Sequence, residues 1–128
     1  MNNAAENGHL EVVKFLHYNR LEGCTIEAMN DAASHGHLEI IEFLHNNRFE
    51  GCSVGAMDGA ATNGRLEIVK FLHQNRQEGA SYLAMTGAAL LGKLKIIKWL
   101  HENDIEKAIH TAKKMKHFEI VKWLQKIQ

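Results

Sequence analysis

The sequence predicts an all-α fold, a helical repeat solenoid of stacked antiparallel helix pairs, and three observations carry that expectation. A short signature recurs every 28 residues, as Gly8-His9-Leu10-Glu11, Gly36-His37-Leu38-Glu39, Gly64-Arg65-Leu66-Glu67 and Gly92-Lys93-Leu94-Lys95, and Lys116-His117-Phe118-Glu119 follows 24 later. Residues 25–52 and 53–80 are identical at fifteen of 28 positions. Apolar side chains inside each unit fall at helical spacing, with no Pro anywhere in the chain. A period of about 20 to 50 residues is the mark of a repeat array, in which each unit buries its apolar face against its neighbours.

The units divide at the Ser and Thr positions. Residues 1–24 form a partial unit, 25–52, 53–80 and 81–104 follow, and 105–128 make a basic C-terminal capping unit, all in one domain spanning 1–128. Met1 aligns with Met29, Met57 and Met85, so the first unit starts midway through its first helix. That end is expected to fray or to self-associate; a monomer is the expectation otherwise. In each unit a first helix places Ala28, Met29, Ala32 and Ala33, or their counterparts, on one narrow face. Thr25, Ser53 and Ser81 precede it as N-caps, accepting from the first free backbone N–H groups. Gly36 and its equivalents end it with a left-handed backbone. The second helix follows, with Leu38, Ile41 and Leu44 on its inner stripe and Ile40 and Phe43 broadening it.

The string Ala60-Ala61-Thr62-Asn63-Gly64-Arg65-Leu66-Glu67-Ile68-Val69-Lys70-Phe71-Leu72 resembles the ankyrin repeat pattern AAxxGHLEIVKLL, and the likeness recurs four times. The chain departs from that family in its shorter unit and in lacking a TPLH start, whose place Glu27-Ala28-Met29-Asn30 and Gly55-Ala56-Met57-Asp58 take. The segment Arg48-Phe49-Glu50-Gly51-Cys52 is too short for a projecting finger, which shifts binding toward the inner helices. The resemblance implies a non-catalytic scaffold that meets a partner protein on its concave face, through the two residues before each turn glycine. Those residues are Glu6 and Asn7, Ser34 and His35, Thr62 and Asn63, and Leu90 and Leu91, with Lys114 and Met115 in the last unit. Asn30, Asp31, Asp58 and Thr86 extend the same face, giving an acidic middle beside an apolar patch of Leu90, Leu91 and Tyr82.

Composition narrows the function classes. Fifteen Lys and Arg balance fifteen Asp and Glu, yet residues 1–92 carry six basic against eleven acidic side chains and residues 93–128 nine against four. The basic end supports a rival reading, anion or nucleic-acid binding through Lys113, Lys114 and Lys116, with capping the simpler account of its charge. No aromatics that could stack on bases interleave with those lysines. The longest charge-free stretch, Gly79 to Gly92, is far short of the roughly 20 apolar residues of a membrane span. A cytoplasmic, reducing location fits the two cysteines, Cys24 and Cys52, which repeat one unit apart and are expected to pack as small side chains.

No chemistry is expected: no catalytic residue, no cofactor and no metal. His17, His45, His73 and His101 recur once per unit near a helix end, where they stabilise the terminus, and helices roughly 10 Å apart cannot converge them on one ion. The pairs His35 with His37 and His110 with His117 lack further ligands. Glycines follow helices rather than strands, so no phosphate loop is present. Arg20, Arg48 and Arg76 each precede a Glu by two residues, which predicts a ladder of exposed ion pairs between loops.

Overall fold

A computed structural model describes residues 1–19, 23–103 and 125–126. The capping unit 105–128 apart from residues 125–126, with Lys113, Lys114, Lys116, His110 and His117, and the Arg20–Glu22 pair lie outside the described residues. Among the described residues there are eight α-helices in four antiparallel pairs and no strand. The inner helices are α1 (Asn2–Glu6), α3 (Ile26–His35), α5 (Val54–Thr62) and α7 (Tyr82–Leu90). The outer ones are α2 (Leu10–Tyr18), α4 (Leu38–Asn47), α6 (Leu66–Asn75) and α8 (Leu94–Asn103).

Local chemistry sets these boundaries. Thr25, Ser53 and Ser81 sit in extended backbone, and their hydroxyls accept from the N–H groups of Glu27, Gly55 and Leu83. At the other end of α3 the chain reverses at Gly36, whose φ of 84° an L side chain rarely adopts. Gly8, Gly64 and Gly92 share that sign, so the same reversal joins every pair.

The core is one continuous stack. Ala28, Ala32, Ala33, Ala56, Ala60, Ala61, Ala84 and Ala88 are buried along the inner helices, with Met29, Met57 and Met85 among them. Val13, Ile41, Val69 and Ile97 face them from the outer helices, and Ile40, Phe43 and Leu44 are buried beside Ile41. Leu38 is only half-buried. Small side chains let α1 pack directly on α3, α3 on α5 and α5 on α7, while the outer helices meet one another far less. Axes closer on the inner side curve the stack, with the inner helices on its concave side.

Two helical glycines mark where the inner helices come closest. A Cβ on Gly59 would land on Ser34 Oγ, and one on Gly87 would land on Thr62 Oγ1. Glycine inside a helix costs about 1 kcal/mol against alanine, and here that cost is the condition for close stacking.

Candidate protein-binding surface

Asn30 and Asp58 recur on the buried stripe rather than on an open surface. They are only 9% and 7% exposed, and both reach across to the next unit. Asn30 Oδ1 accepts from the Ser53 N–H at 3.1 Å while its Nδ2 donates to Ser53 Oγ at 2.9 Å. Asp58 Oδ1 accepts from the Ser81 N–H at 2.9 Å and its Oδ2 from the Ser81 hydroxyl at 2.5 Å. Asn2 holds Thr25 in the same way at the start of the stack. The expectation that Asn30 and Asp58 meet a partner is therefore corrected. Their polar atoms are committed to fixing each N-cap on the helix before it, and burying them is tolerable only because those bonds are made.

The remaining residues before the turn glycines separate into two classes. Ser34 and Thr62 are half-buried against Gly59 and Gly87 of the next inner helix, so they belong to the stacking contact. Asn7, His35, Asn63 and Leu91, one residue further on, are exposed in every unit. His35 bonds its Nδ1 to the Asp31 carbonyl at 2.8 Å, and Asn63 donates to the Gly59 carbonyl at 2.9 Å. Both side chains thus lie along their own helix with an edge left to solvent. Leu91 is 57% exposed and Leu90, in the place of Ser34 and Thr62, is 79% exposed.

Asp31 and Thr86 are half-buried, Thr86 standing where Asn30 and Asp58 stand. Tyr82 does not join the leucine patch. Eight residues before Leu90, it lies about 80° round the helix from it and lines a cavity with Trp99 instead. Leu83 takes its place: it is exposed, and seven residues before Leu90 it shares one helix face with Leu90 and Gly87. Across α3, α5 and α7 that row reads Glu27, Asp31, Ser34, then Gly55, Gly59, Thr62, then Leu83, Gly87, Leu90. The row runs from acidic, through glycines packed on Asn30 and Ser34 of the preceding unit, to apolar.

The opposite edge holds a second repeating network. Arg48 and Glu50 pair at 2.6 Å within one loop, and Arg76 and Glu78 at 2.9 Å in the next. The expected ladder of exposed pairs between loops is corrected, because each pair closes within one loop, Arg48, Glu50 and Arg76 are half-buried with Glu78 alone exposed, and each arginine also reaches one unit back. Arg48 meets His17 Nδ1 at 3.1 Å and Arg76 meets His45 Nδ1 at 3.3 Å. A guanidinium only donates, which makes Nδ1 the acceptor and assigns the proton to Nε2. The histidine rings stand edge-on to the next unit's aromatic, His17 on Phe43, His45 on Phe71 and His73 on Trp99. These rings join neighbouring outer helices, a role beyond stabilising one helix end.

The two cysteines take part as donors rather than as packing alone. Cys24 donates to Glu50 at 3.3 Å and Cys52 to Glu78 at 3.5 Å. Burial, then the facing carboxylate, pushes the Cys24 thiol up and the Cys52 thiol up to about 11. Arg48 and Arg76, by hydrogen bonding, hold Glu50 and Glu78 below the usual carboxylate range. Neither thiol is thereby primed as a nucleophile. Among the described residues no group of three His, Cys, Asp or Glu is placed to hold a metal ion. No helix among them is long and apolar enough to cross a membrane.

Sequence reasoning missed Phe49. It is 96% exposed at the tip of the loop, and its position between two side chains that turn inward, Arg48 and Glu50, is the signal that could have found it.

Compared with known families, residues 1–85 match the family model described as ankyrin repeats, three copies. No curated protein matches the chain.

Proposed function

The chain belongs to the ankyrin repeat family, whose members are generally protein-protein interaction modules and typically non-enzymatic scaffolds, and from that premise we propose that it binds a partner protein across its inner-helix face. One observation carries the reading. The residue before each turn glycine is exposed in all four described units and changes from Asn7 to His35 to Asn63 to Leu91, while the framework around it repeats. A regular scaffold with one variable exposed position per unit offers a partner a row of distinct contacts at fixed spacing.

The chemistry along the row defines the partner. Glu27 and Asp31 favour a basic group at one end, and Leu83, Leu90 and Leu91 favour apolar side chains at the other. The partner is thus a segment that is basic at one end and apolar at the other. Peptide selection on the immobilised full chain tests this. The selected sequences should share that polarity and be lost on Leu91→Asp and on Asp31→Lys, with the circular dichroism of both variants unchanged. Equal capture by wild type and both folded variants would refute the reading.

A further inference from the structure

The turn edge carries a row of His, Arg and Lys side chains, one per unit. His9, His37, Arg65 and Lys93 each follow a turn glycine directly. From His37 onward each lies back over the turn glycine of the preceding unit. A Cβ on Gly8 would meet the His37 ring, one on Gly36 the Arg65 guanidinium and one on Gly64 the Lys93 stem. His37 Nε2 bonds to the Glu6 carbonyl at 3.0 Å, and Arg65 Nε donates to the Ser34 carbonyl at 3.4 Å. Both acceptors stand two residues before the glycine, so one kind of clamp ties each turn to the next.

The clamps differ in the donors they leave over. A carbonyl only accepts, so a neutral His37 spends its one ring proton, at Nε2, on Glu6. His35, stacked on His37 with ring centroids 6.4 Å apart, spends its own at Nδ1 on the Asp31 carbonyl. Lys93 is half-buried and offers a point charge. Arg65 is exposed and offers a fork: Nε is committed to Ser34, while Nη1 and Nη2 have no partner among the described residues. The acid nearest to it in sequence, Glu67, is turned to Lys70 at 3.8 Å instead. The fork is also held in place. Its Cζ, Nε and Nη1 would stand 3.0 to 3.1 Å from a Cβ on Gly36, so the guanidinium lies against the bare backbone of that turn. A guanidinium oriented before binding loses little freedom when it bonds.

We infer that Arg65 receives a carboxylate of the partner protein, an Asp or Glu side chain that accepts two parallel bonds from Nη1 and Nη2. The place along the stack fits this. Arg65 lies over the glycine that follows His35 and stands two residues after Asn63, beside two members of the variable row. It is also between the acidic Glu27 and Asp31 of one unit and the apolar Leu83, Leu90 and Leu91 of another. Residues 1–92 carry eleven acidic against six basic side chains, so an unpaired arginine there is a local exception that discriminates between partners by charge. Bidentate pairing of guanidinium with carboxylate adds geometric selection to that charge. The inference rests on the inner-helix reading and sharpens it: the partner segment is basic at one end, acidic in the middle and apolar at the other end.

The test is selection from a random peptide library on the immobilised full chain, run in parallel on wild type and on Arg65→Gln with unchanged circular dichroism. Wild type should select an Asp or Glu between the basic and apolar ends, and Arg65→Gln should lose that preference while keeping the other two. In a selected peptide, Gln in place of the acidic residue should weaken binding to wild type roughly tenfold, the worth of a charge-assisted hydrogen bond, and leave binding to Arg65→Gln within about twofold. Arg65→Lys should bind the acidic peptide more weakly than wild type, since an ammonium cannot make both bonds. The exchange within the peptide needs no variant of the chain, so equal binding of both peptides to wild type overturns the proposal by itself. Basic and apolar ends selected without an acidic residue, or an acidic preference that survives Arg65→Gln, overturns it and leaves the inner-helix reading standing. An acidic preference that depends on Arg65 but comes without the two ends supports the carboxylate site and overturns the inner-helix reading. No selected sequence at all overturns both.

Discussion

Replacing Asp58 by alanine removes the acceptor that anchors α7 to α5. The carboxylate takes two bonds from Ser81, 2.9 Å from its N–H and 2.5 Å from its hydroxyl, and the side chain is 7% exposed. A hydrogen bond to a charged group is worth about 1.5 to 3 kcal/mol, and a buried N–H left unpaired carries its own desolvation cost of about 1 to 3 kcal/mol. The Ser81 hydroxyl still accepts from the Leu83 N–H in the variant, so the cap itself persists and the contributions overlap. Asp58→Ala should therefore cost about 3 kcal/mol, or roughly 10 °C in melting temperature for a chain of this length. Asp58→Asn is the informative control. Asparagine keeps one acceptor and can donate its amide to Ser81 Oγ, the arrangement Asn30 already has with Ser53, so it should cost less than about 1 kcal/mol. Urea unfolding followed by circular dichroism measures both. The reasoning is refuted if Asp58→Ala stays within about 0.5 kcal/mol of wild type, the ordinary spread for a surface change, or if Asp58→Asn is as costly as alanine.

The other predictions concern stacking, pH and thiol reactivity. Gly87→Ala should destabilise by about 1 to 3 kcal/mol, because Thr62 Cβ and Cγ2 also lie 3.0 and 3.1 Å from the new methyl and a branched side chain has no free rotamer. Gly59→Ala, where Ser34 can turn its hydroxyl away, should stay within about 1 kcal/mol of wild type as helix propensity offsets the strain; equal costs would contradict this. Glu50 and Glu78 are held below the ordinary carboxylate range, so their contribution is complete above about pH 4.3 and is lost as pH falls through their lower folded values. The double variant Arg48→Gln with Arg76→Gln should show a shallower acid loss in urea midpoints between pH 5 and 3, and an unchanged slope would argue against it. With the Cys52 thiol near 11 against an ordinary 9.0, native alkylation at pH 8 should run about a hundredfold slower than in urea. Its contribution to stability is present below the ordinary thiol range and declines as pH rises toward 11, and equal alkylation rates in both states would count against the half-buried thiol's contact with Glu78.

How much could be read from the sequence follows from how local each signal is. The caps at Thr25, Ser53 and Ser81, the reversal at Gly36 and the Ala-Met stripe depend on residues within one turn of helix, and each stands where its pattern places it. The roles of Asn30 and Asp58 are not legible locally, because their partners lie 23 residues away, at the start of a helix that only stacking brings near. A clue was present: a polar side chain recurs on an otherwise apolar stripe at Asn2, Asn30 and Asp58, always 23 residues before an N-cap. Arg48 and His17 could not be joined from spacing alone, since their contact needs the relative rotation of two outer helices. Tyr82 shares the apolar character of Leu90 and Leu91, and the turn of α7 puts it on another face.

The central claim is that framework residues hold the stack and the residue before each turn glycine selects the partner. Exchanging two such residues, Asn63→Leu together with Leu91→Asn, tests it most directly, because composition is unchanged and both positions are exposed. Measured by calorimetric titration with a selected peptide, the exchange should leave the melting temperature within about 3 °C of wild type and weaken binding at least roughly tenfold. Unchanged affinity in a folded exchange variant, or loss of the fold itself, would contradict the claim.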